Sequence, residues 1–208
     1  MSRNINQLHP WLQYKLQRLL KECKKQGLQV GIGECFRTVS EQNALYAQGR
    51  TKSGKIVTNA KGDSLSSQHQ WGVAVDIFQN IKGKEYEESF FKKVAKIAKS
   101  SKIGLGWGGD WKSFQDTPHF YLKKWGSTAT NLKKKYGNVS SFKKYWKRTT
   151  KKKCRLWSKN TLRKSESIMK IPVGSVVNVL YYSKLGYAKV SYNGKVGYIF
   201  RSVMKNVE

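Results

Sequence analysis

The 208-residue sequence predicts an α+β chain made of two parts. The N-terminal part alternates helix-like and strand-like segments, which is typical of helices packed against an antiparallel sheet. The C-terminal part changes to short stretches of period 2 separated by turn residues, which predicts a small all-β unit. Charge divides the chain in the same way. Residues 1–126 hold 21 Lys and Arg against 10 Asp and Glu, whereas residues 127–208 hold 20 against 2.

The N-terminal part contains three helix patterns and three strand patterns. Apolar residues recur every three or four positions in the helices, and β-branched or aromatic residues dominate the strands. A capping box, Thr38-x-x-Glu41, marks the start of the second helix. The predicted helices cover 10–26, 38–48 and 86–101, and the predicted strands cover 30–37, 73–78 and 119–122. The polar, Gly- and Ser-rich residues 50–66 predict a loop that borders a cleft.

Two histidines and one aspartate enter these strands. His69 precedes Asp76 by seven residues, and Gly72 between them permits the sharp turn that would return His69 to the side of Asp76. Side chains alternate along a strand, so Asp76 shares a face with Ala74. A carboxylate at that position is explained if a positive group lies beside it. His119 opens the third strand and supplies a second imidazole.

A zinc ion with two histidine ligands and one carboxylate ligand keeps a fourth position for water, and His69, Asp76 and His119 supply that set. Asp116, three residues before His119, then remains to act as the general base on that water. Two imidazoles and one carboxylate suit Zn²⁺ and also tolerate other divalent ions. The residues therefore predict a metal-dependent hydrolytic site, with the identity of the ion left open.

These segments together resemble the zinc peptidases of the D-alanyl-D-alanine carboxypeptidase superfamily. The resemblance covers about residues 5 to 125 and rests on Ser67-x-His69-x-x-Gly72-x-Ala74-x-Asp76, Trp107-Gly108-Gly109-Asp110-Trp111 and Asp116-x-x-His119-Phe120. The closer likeness is to the L-alanyl-D-glutamate peptidase branch, which is common in phage endolysins. That branch typically carries Asp at the base position, whereas the carboxypeptidase and dipeptidase branches typically carry Glu.

The resemblance implies a peptidoglycan hydrolase that cuts the stem peptide by zinc-activated water. It also implies that Arg37, just before the second helix, stabilises the oxyanion at the scissile carbonyl, for which a fixed guanidinium is suited. Without the resemblance, Arg37 reads as a helix-start arginine in a surface ion pair. Two other activities stay open: a D-alanyl-D-alanine carboxypeptidase or dipeptidase of the same fold, and a non-catalytic wall-binding protein with a vestigial zinc site.

The formal charge of +29 predicts a polyanionic partner. Nucleic acid is one candidate, but the sequence has no recognisable nucleic-acid-binding motif. The phosphates of a Gram-positive wall are the other candidate, and we expect the wall. Residues 127–153, dense in lysine, are predicted to form a basic linker that holds a short amphipathic helix. The zinc peptidase domain is then 1–126 and the wall-binding domain is 154–208.

Residues 154–208 resemble a bacterial SH3-like domain, a small β-barrel that binds the cell wall. Strands are predicted over 175–182, 186–192 and 195–200, and Asn193-Gly194 is a strong signal for a two-residue hairpin. Tyr181, Tyr182 and Tyr187 are candidates for an aromatic binding groove, although each could equally belong to the core.

The remaining signals are weaker. Three cysteines without Cys-x-x-Cys spacing favour neither a disulfide framework nor a thiolate zinc site. His9 is expected at the surface or as a helix cap, and Asp110 is a candidate partner for a zinc-bound histidine. The start of the sequence lacks the apolar stretch of a signal peptide, and no membrane span is expected. A wall hydrolase of this kind would stay in the bacterial cytoplasm until it is released, as a phage lysin is.

Overall fold

The computed structural model describes residues 2–123, 128–161, 165–183 and 185–205. The chain divides into two compact units, one that ends at Val139 and one that begins at Ser140. The predicted boundary at 126/127 falls outside the described residues. None of the helices in these ranges combines the length and the apolar character needed to cross a bilayer.

The first unit is a four-stranded antiparallel sheet with helices packed against it. The strand order is β1-β2-β4-β3. The helices are α1 (Pro10–Lys25), α2 (Val39–Ala47), α3 (Glu88–Lys99) and α4 (Ala129–Tyr136), and the strands are β1 (Val30–Ile32), β2 (Ala74–Gln79), β3 (Leu105–Trp107) and β4 (His119–Leu122). The three predicted helices are present with bounds that agree within two residues. β1 is shorter than predicted, and β3 was not among the predicted strands.

Local signals explain where the first two helices begin. His9 caps α1 by accepting a hydrogen bond at Nδ1 from the Trp11 amide, and it is buried rather than at the surface. Both bonds of the capping box at α2 are present, since the Glu41 amide donates to the Thr38 hydroxyl and the Thr38 amide donates to the Glu41 carboxylate.

The core of the first unit lies between α1, α3 and one face of the sheet. β2 and β4 pair so that Val75 lies opposite Phe120, and both are fully buried. The same register sets Asp76 opposite His119 on the other face. Alternation along the two strands therefore separates the apolar core from the polar side chains, as the sequence predicts. Further core residues from the helices are Leu12, Leu16, Leu19, Phe91, Val94 and Ala98.

The second unit is a six-stranded antiparallel sheet with the order β5-β8-β9-β10-β6-β7. Its elements are α5 (Val139–Lys144, which begins one residue before the unit), β5 (Lys147–Thr149), β6 (Cys154–Trp157), β7 (Ser167–Ile171), β8 (Val176–Tyr182), β9 (Tyr187–Tyr192) and β10 (Lys195–Phe200). Asn193 and Gly194 both have positive φ, which confirms the predicted hairpin between β9 and β10. No pairing among the described residues joins β5 to β7, so closure into the predicted barrel is not observed.

The lysine-rich segment predicted as a linker contains regular structure. Residues 128–153 hold α4, α5 and β5, and β5 pairs with β8 in the second sheet. The amphipathic helix expected near Phe142 is α5, in which Phe142 is buried. One side of the second sheet carries a compact apolar core of Leu156, Ile171, Val177, Val179, Ala188, Val190, Ile199 and Met204.

Candidate metal centre

Three short elements bring the predicted ligands together. Asp76 and His119 are cross-strand neighbours on β2 and β4. His69 lies in a 3-10 turn, Gln68–Trp71, directly before β2. Gly72 ends this turn at φ 64°, a left-handed conformation that glycine adopts without a steric cost. The chain therefore folds back as the sequence predicts, and His69 meets Asp76.

The three ligand atoms form a nearly equilateral triangle. Asp76 Oδ1 lies 3.2 Å from His69 Nε2 and 3.0 Å from His119 Nδ1, and the two nitrogens are 3.2 Å apart. Ligand bonds of about 2.0–2.1 Å in a tetrahedral zinc site imply edges of about 3.3–3.4 Å. The chemistry and the spacing of this triangle both fit a single divalent cation.

Each histidine uses its other nitrogen for a hydrogen bond that points away from the triangle. His69 Nδ1 donates to the carbonyl oxygen of Cys35 at 3.1 Å, and His119 Nε2 donates to Gln68 Oε1 at 2.7 Å. These bonds fix each imidazole in the tautomer that presents a lone pair to the site. Gln68 is buried and was not predicted from the sequence. Asp110, the predicted partner, instead lies at the surface and accepts hydrogen bonds from Lys99.

The side chains of the triangle shift one another's pKa values. Burial opposes the ionised form of Asp76, but the two imidazoles outweigh it and hold the pKa of the Asp76 carboxyl far below its usual range. Burial likewise opposes protonation of His69, but the Asp76 carboxylate outweighs it and raises the pKa of His69. The site therefore keeps an anionic oxygen in a buried position, which a metal cation would match.

Asp116 stands beside the triangle. Its Oδ2 is 4.0 Å from His119 Nδ1, and its side chain is 35% exposed, so it reaches both the site and solvent. Burial raises the pKa of the Asp116 carboxyl, and the neighbouring Asp76 adds to this effect. A raised pKa makes a carboxylate a better proton acceptor near neutral pH. The structure thus brings the predicted base to the predicted ligands.

The Trp-Gly-Gly-Asp-Trp segment supports the turn that carries Asp116. The Asp116 amide donates to the Gly108 carbonyl at 3.2 Å, and Trp107 Nε1 donates to the Thr117 carbonyl at 2.7 Å. A Cβ atom at Gly108 would lie 3.1 Å from His119 Cβ, closer than ordinary van der Waals contact. Trp107 is buried, whereas Trp111 lies beside the His119 ring with centroids 5.1 Å apart. One tryptophan is therefore a core anchor and the other lines the site.

Arg37 is buried in a network of its own. Its Nε donates to Glu34 Oε1 at 2.7 Å, a second nitrogen donates to Glu34 Oε2, and the third donates to Gln42 Oε1 at 2.7 Å. The ion pair expected without the resemblance is therefore present, but it is buried and does not lie at the surface. The Arg37 amide also donates to the His69 carbonyl, which ties this network to the triangle. Sequence reasoning missed Glu34 because its only signal is a charge three residues before Arg37.

A cleft of about 930 Å³ opens over these residues. Arg37, Asp76, Asp116 and both histidines line it. Residues 57–60 and 66–67 form another part of its wall, as predicted for the loop 50–66. Large apolar side chains also line the cleft and remain exposed, namely Val57, Tyr86 and Phe114. The cleft thus has the volume of a ligand-binding site and mixes apolar with ionic surface.

Three clustered ligands, a neighbouring carboxylate and an open cleft are the arrangement that metal-dependent hydrolases use. Comparison with known proteins agrees. The family model described as D-alanyl-D-alanine carboxypeptidase matches residues 60–122, the segment that holds His69, Asp76, Asp116 and His119. The peptidoglycan L-alanyl-D-glutamate endopeptidase CwlK of Bacillus subtilis is 38% identical over 126 residues, which are 55% of this chain and 73% of that protein. The chain therefore belongs to the D-alanyl-D-alanine carboxypeptidase family of peptidases.

Two further proteins are similar to part of this chain. The L-alanyl-D-glutamate peptidase of a Listeria phage is 31% identical over 131 residues, which are 60% of this chain and 42% of the phage protein. A crystal structure of the L-Ala D-Glu endopeptidase ChiX of Serratia marcescens has a TM-score of 0.44 and 24% identity, and the match covers 58% of this chain and 84% of that one.

Proposed function

We propose that the chain is a peptidoglycan hydrolase that cleaves the L-alanyl-D-glutamate bond of the stem peptide. The triangle of His69, Asp76 and His119 with Asp116 beside it is the observation that carries this proposal. Two relatives that are named for this bond support the choice of substrate. The cell wall is then the place of action.

Zn²⁺ is the ion we propose for the triangle, and His69 Nε2, Asp76 Oδ1 and His119 Nδ1 would hold it. When bound there, zinc would act as a Lewis acid on the scissile carbonyl and lower the pKa of a coordinated water. His69 Nδ1–H donates to the Cys35 carbonyl and His119 Nε2–H donates to Gln68 Oε1, and these buried hydrogen bonds would keep both imidazoles oriented before any ion or substrate arrives.

Asp116 would accept the proton of the attacking water and pass it to the leaving amine of D-glutamate. Its half-buried position suits both steps, because the raised pKa favours proton uptake and the open side faces the cleft. The peptide would lie along the cleft, with its scissile carbonyl between Asp116 and the triangle.

Arg37 would stabilise the negative charge that develops on the scissile carbonyl oxygen. Its bonds to Glu34 and Gln42 use three of its five N–H groups, and they fix the plane of the guanidinium. A donor that is already fixed needs no reorganisation at the moment of reaction. Glu34 also offsets the charge of Arg37, so this donor would act through directed N–H groups more than through its net charge.

The second unit would hold the enzyme on the wall as an SH3-like module. Residues 140–208 contain 17 Lys and Arg against 2 Asp and Glu, so an anionic wall polymer is attracted electrostatically. Attachment would raise the local concentration of the peptidase at its substrate. Seven of these basic residues lie in the lysine-rich segment 127–153, which holds three more, Lys133, Lys134 and Lys135.

The experiment compares Asp116→Ala with Asp110→Ala on purified walls. Asp110 is a matched control, because it is a nearby carboxylate that pairs with Lys99 at the surface. We expect Asp116→Ala to keep its zinc and to lose wall cleavage, with Asp110→Ala active, and the wild-type digest to contain new N-terminal D-glutamate. Release of free D-alanine instead would show a carboxypeptidase, and loss of zinc from Asp116→Ala would make Asp116 a ligand.

A further inference from the structure

One face of the second sheet carries a row of large side chains that crosses four strands. Tyr181 on β8 lies opposite Lys189 on β9, Lys189 lies opposite Tyr198 on β10, and Tyr198 lies opposite Trp157 on β6. Directly opposed residues share a face of the sheet. All four side chains are partly exposed. Their neighbours along the strands point the other way and form the apolar core, for example Val190 and Ile199.

Within this row, which we call the aromatic row, contacts hold Tyr181, Lys189 and Tyr198 in place. The hydroxyl groups of Tyr181 and Tyr198 are 3.0 Å apart, and the two rings are nearly perpendicular with centroids 6.5 Å apart. The Lys189 ammonium lies 5.4 Å from the Tyr198 centroid and 5.9 Å from the Tyr181 centroid, which is cation–π distance. A surface whose side chains are already ordered loses little conformational entropy when a ligand binds.

We propose that the aromatic row binds the glycan strand of peptidoglycan, with sugar rings stacked on Tyr181, Tyr198 and Trp157. This inference rests on the proposed attachment of the second unit to the wall. Sugar rings present polarised C–H groups that the negative face of an aromatic ring attracts. Tyrosine hydroxyls and the Lys189 ammonium offer polar contacts to the sugar hydroxyl and acyl groups at the same surface.

Charge is the reason to choose a wall glycan over a neutral polymer. The unit carries 17 basic residues against 2 acidic ones, and peptidoglycan strands carry carboxylates on their stem peptides. The aromatic rings of the row are the reason to choose a glycan over a polyol phosphate chain, because a polyol chain has no sugar ring that could stack on them. An anionic polymer with a ring in every repeat matches both features of the surface.

The two other candidate tyrosines are covered by neighbouring side chains. Tyr187 is buried and packs on Phe200 with centroids 4.3 Å apart, and Tyr182 packs against the apolar core. Tyr181 therefore belongs to the binding surface that we propose, and Tyr182 and Tyr187 do not. Tyr198 and Trp157 join it, although the sequence alone did not single them out.

The test uses the full chain with Asp116→Ala, so that the walls stay intact during binding. Purified walls, with and without their phosphate polymers, are mixed with the Asp116→Ala chain or with one of two double variants. These variants carry Tyr198→Leu or Trp157→Leu in addition to Asp116→Ala. We expect each row variant to bind stripped walls about tenfold more weakly. Tyr145→Leu, an exposed aromatic of the same unit outside the row, is the matched control and should bind within twofold.

A second measurement needs no row variant and so covers the case in which one fails to fold. Addition of a soluble N-acetylglucosamine oligosaccharide should shift the NMR ring signals of Tyr181, Tyr198 and Trp157, and leave those of Tyr145 unchanged. Equal binding by row and control variants with unchanged melting temperatures overturns the inference. Binding that disappears when the phosphate polymers are stripped overturns it too, since the partner is then a phosphate chain.

Failure of this inference and failure of the proposed function give different results. Row variants with an intact Asp116 should cleave a soluble L-alanyl-D-glutamyl peptide at the wild-type rate. A wild-type chain that cleaves no such peptide contradicts the proposed activity, whatever its binding to walls. A chain that cleaves the peptide and binds walls independently of the row contradicts the inference alone.

Discussion

Replacement of Gln68 by leucine is expected to weaken zinc binding without removing a ligand. Gln68 Oε1 accepts the Nε2–H of His119 at 2.7 Å, and both side chains are buried. Leucine has a similar size and no acceptor, so the His119 N–H is left unpaired. An unpaired buried donor costs about 1–3 kcal/mol, which corresponds to a loss of affinity of roughly 5- to 150-fold. Measured losses for such supporting residues, about 10- to 100-fold, fall in the same range.

The assay is competition for zinc with a chromophoric chelator at fixed pH, for the wild type, Gln68→Leu and Gln68→Glu. Glutamate restores the acceptor, so Gln68→Glu should bind zinc at least as tightly as the wild type. This control shows whether a change in zinc affinity comes from loss of the hydrogen-bond acceptor or from any substitution at position 68. Equal affinity of Gln68→Leu and the wild type, with circular dichroism unchanged, would refute the role given to this bond.

Three further predictions concern stability, thiol chemistry and salt. Glu34→Gln leaves the buried Arg37 cation uncompensated and should lower the unfolding free energy by about 3–5 kcal/mol, a fall in melting temperature of roughly 10 °C. Glu88→Gln breaks an exposed pair with a lysine and should cost less than about 0.5 kcal/mol in the same calorimetric scan. Burial raises the pKa of Cys23 and of Cys35 from 9.0 to about 11. Both thiols should therefore react with a disulfide reagent at pH 8 much more slowly in the native than in the unfolded protein. Their folded-state pKa values lie above the unfolded ones, so their contribution to stability is complete below pH 9 and is lost between pH 9 and 11. Higher NaCl, from 0.1 to 1 M, shortens the Debye length from about 10 to about 3 Å and should release the chain from walls; unchanged binding would exclude an electrostatic contribution.

The sequence predicts the parts of the site that depend on local patterns. Strand alternation assigns Asp76 to the face opposite Val75, and the observed register confirms it. The left-handed turn at Gly72 and the capping box before α2 are likewise local, and both are present. Each of these features needs only the residues within a few positions, so no knowledge of the tertiary structure is required.

The missed features all depend on contacts that the sequence does not show. Gln68 meets His119 across 51 positions, and its identity as a buried acceptor follows only from the approach of β4 to the turn before β2. Strand β3 has three residues, two apolar and one glycine, and such a pattern is too short to distinguish from a loop. The buried residues of α4 are Ala129 and Leu132. These two apolar residues are too few to indicate a helix among the many lysines of residues 127–153.

The position of the ligands follows from the same burial that folds the first unit. Val75 and Phe120 lie opposite each other in the core. Asp76 follows Val75 on β2 and His119 precedes Phe120 on β4, so both ligands lie on the opposite face of the sheet. A shift of β2 by one residue relative to β4 would move Asp76 into the core and Val75 out of it, and a shift of β4 would do the same to His119 and Phe120. The free energy gained by burying the apolar side chain of the shifted strand, about 1.5–3 kcal/mol, therefore also penalises a one-residue shift in which the triangle is lost. Core packing therefore aligns the two strands that carry Asp76 and His119, and the metal site needs no further interaction for this. His69 lies outside the paired strands, so its position depends instead on the turn that ends at Gly72.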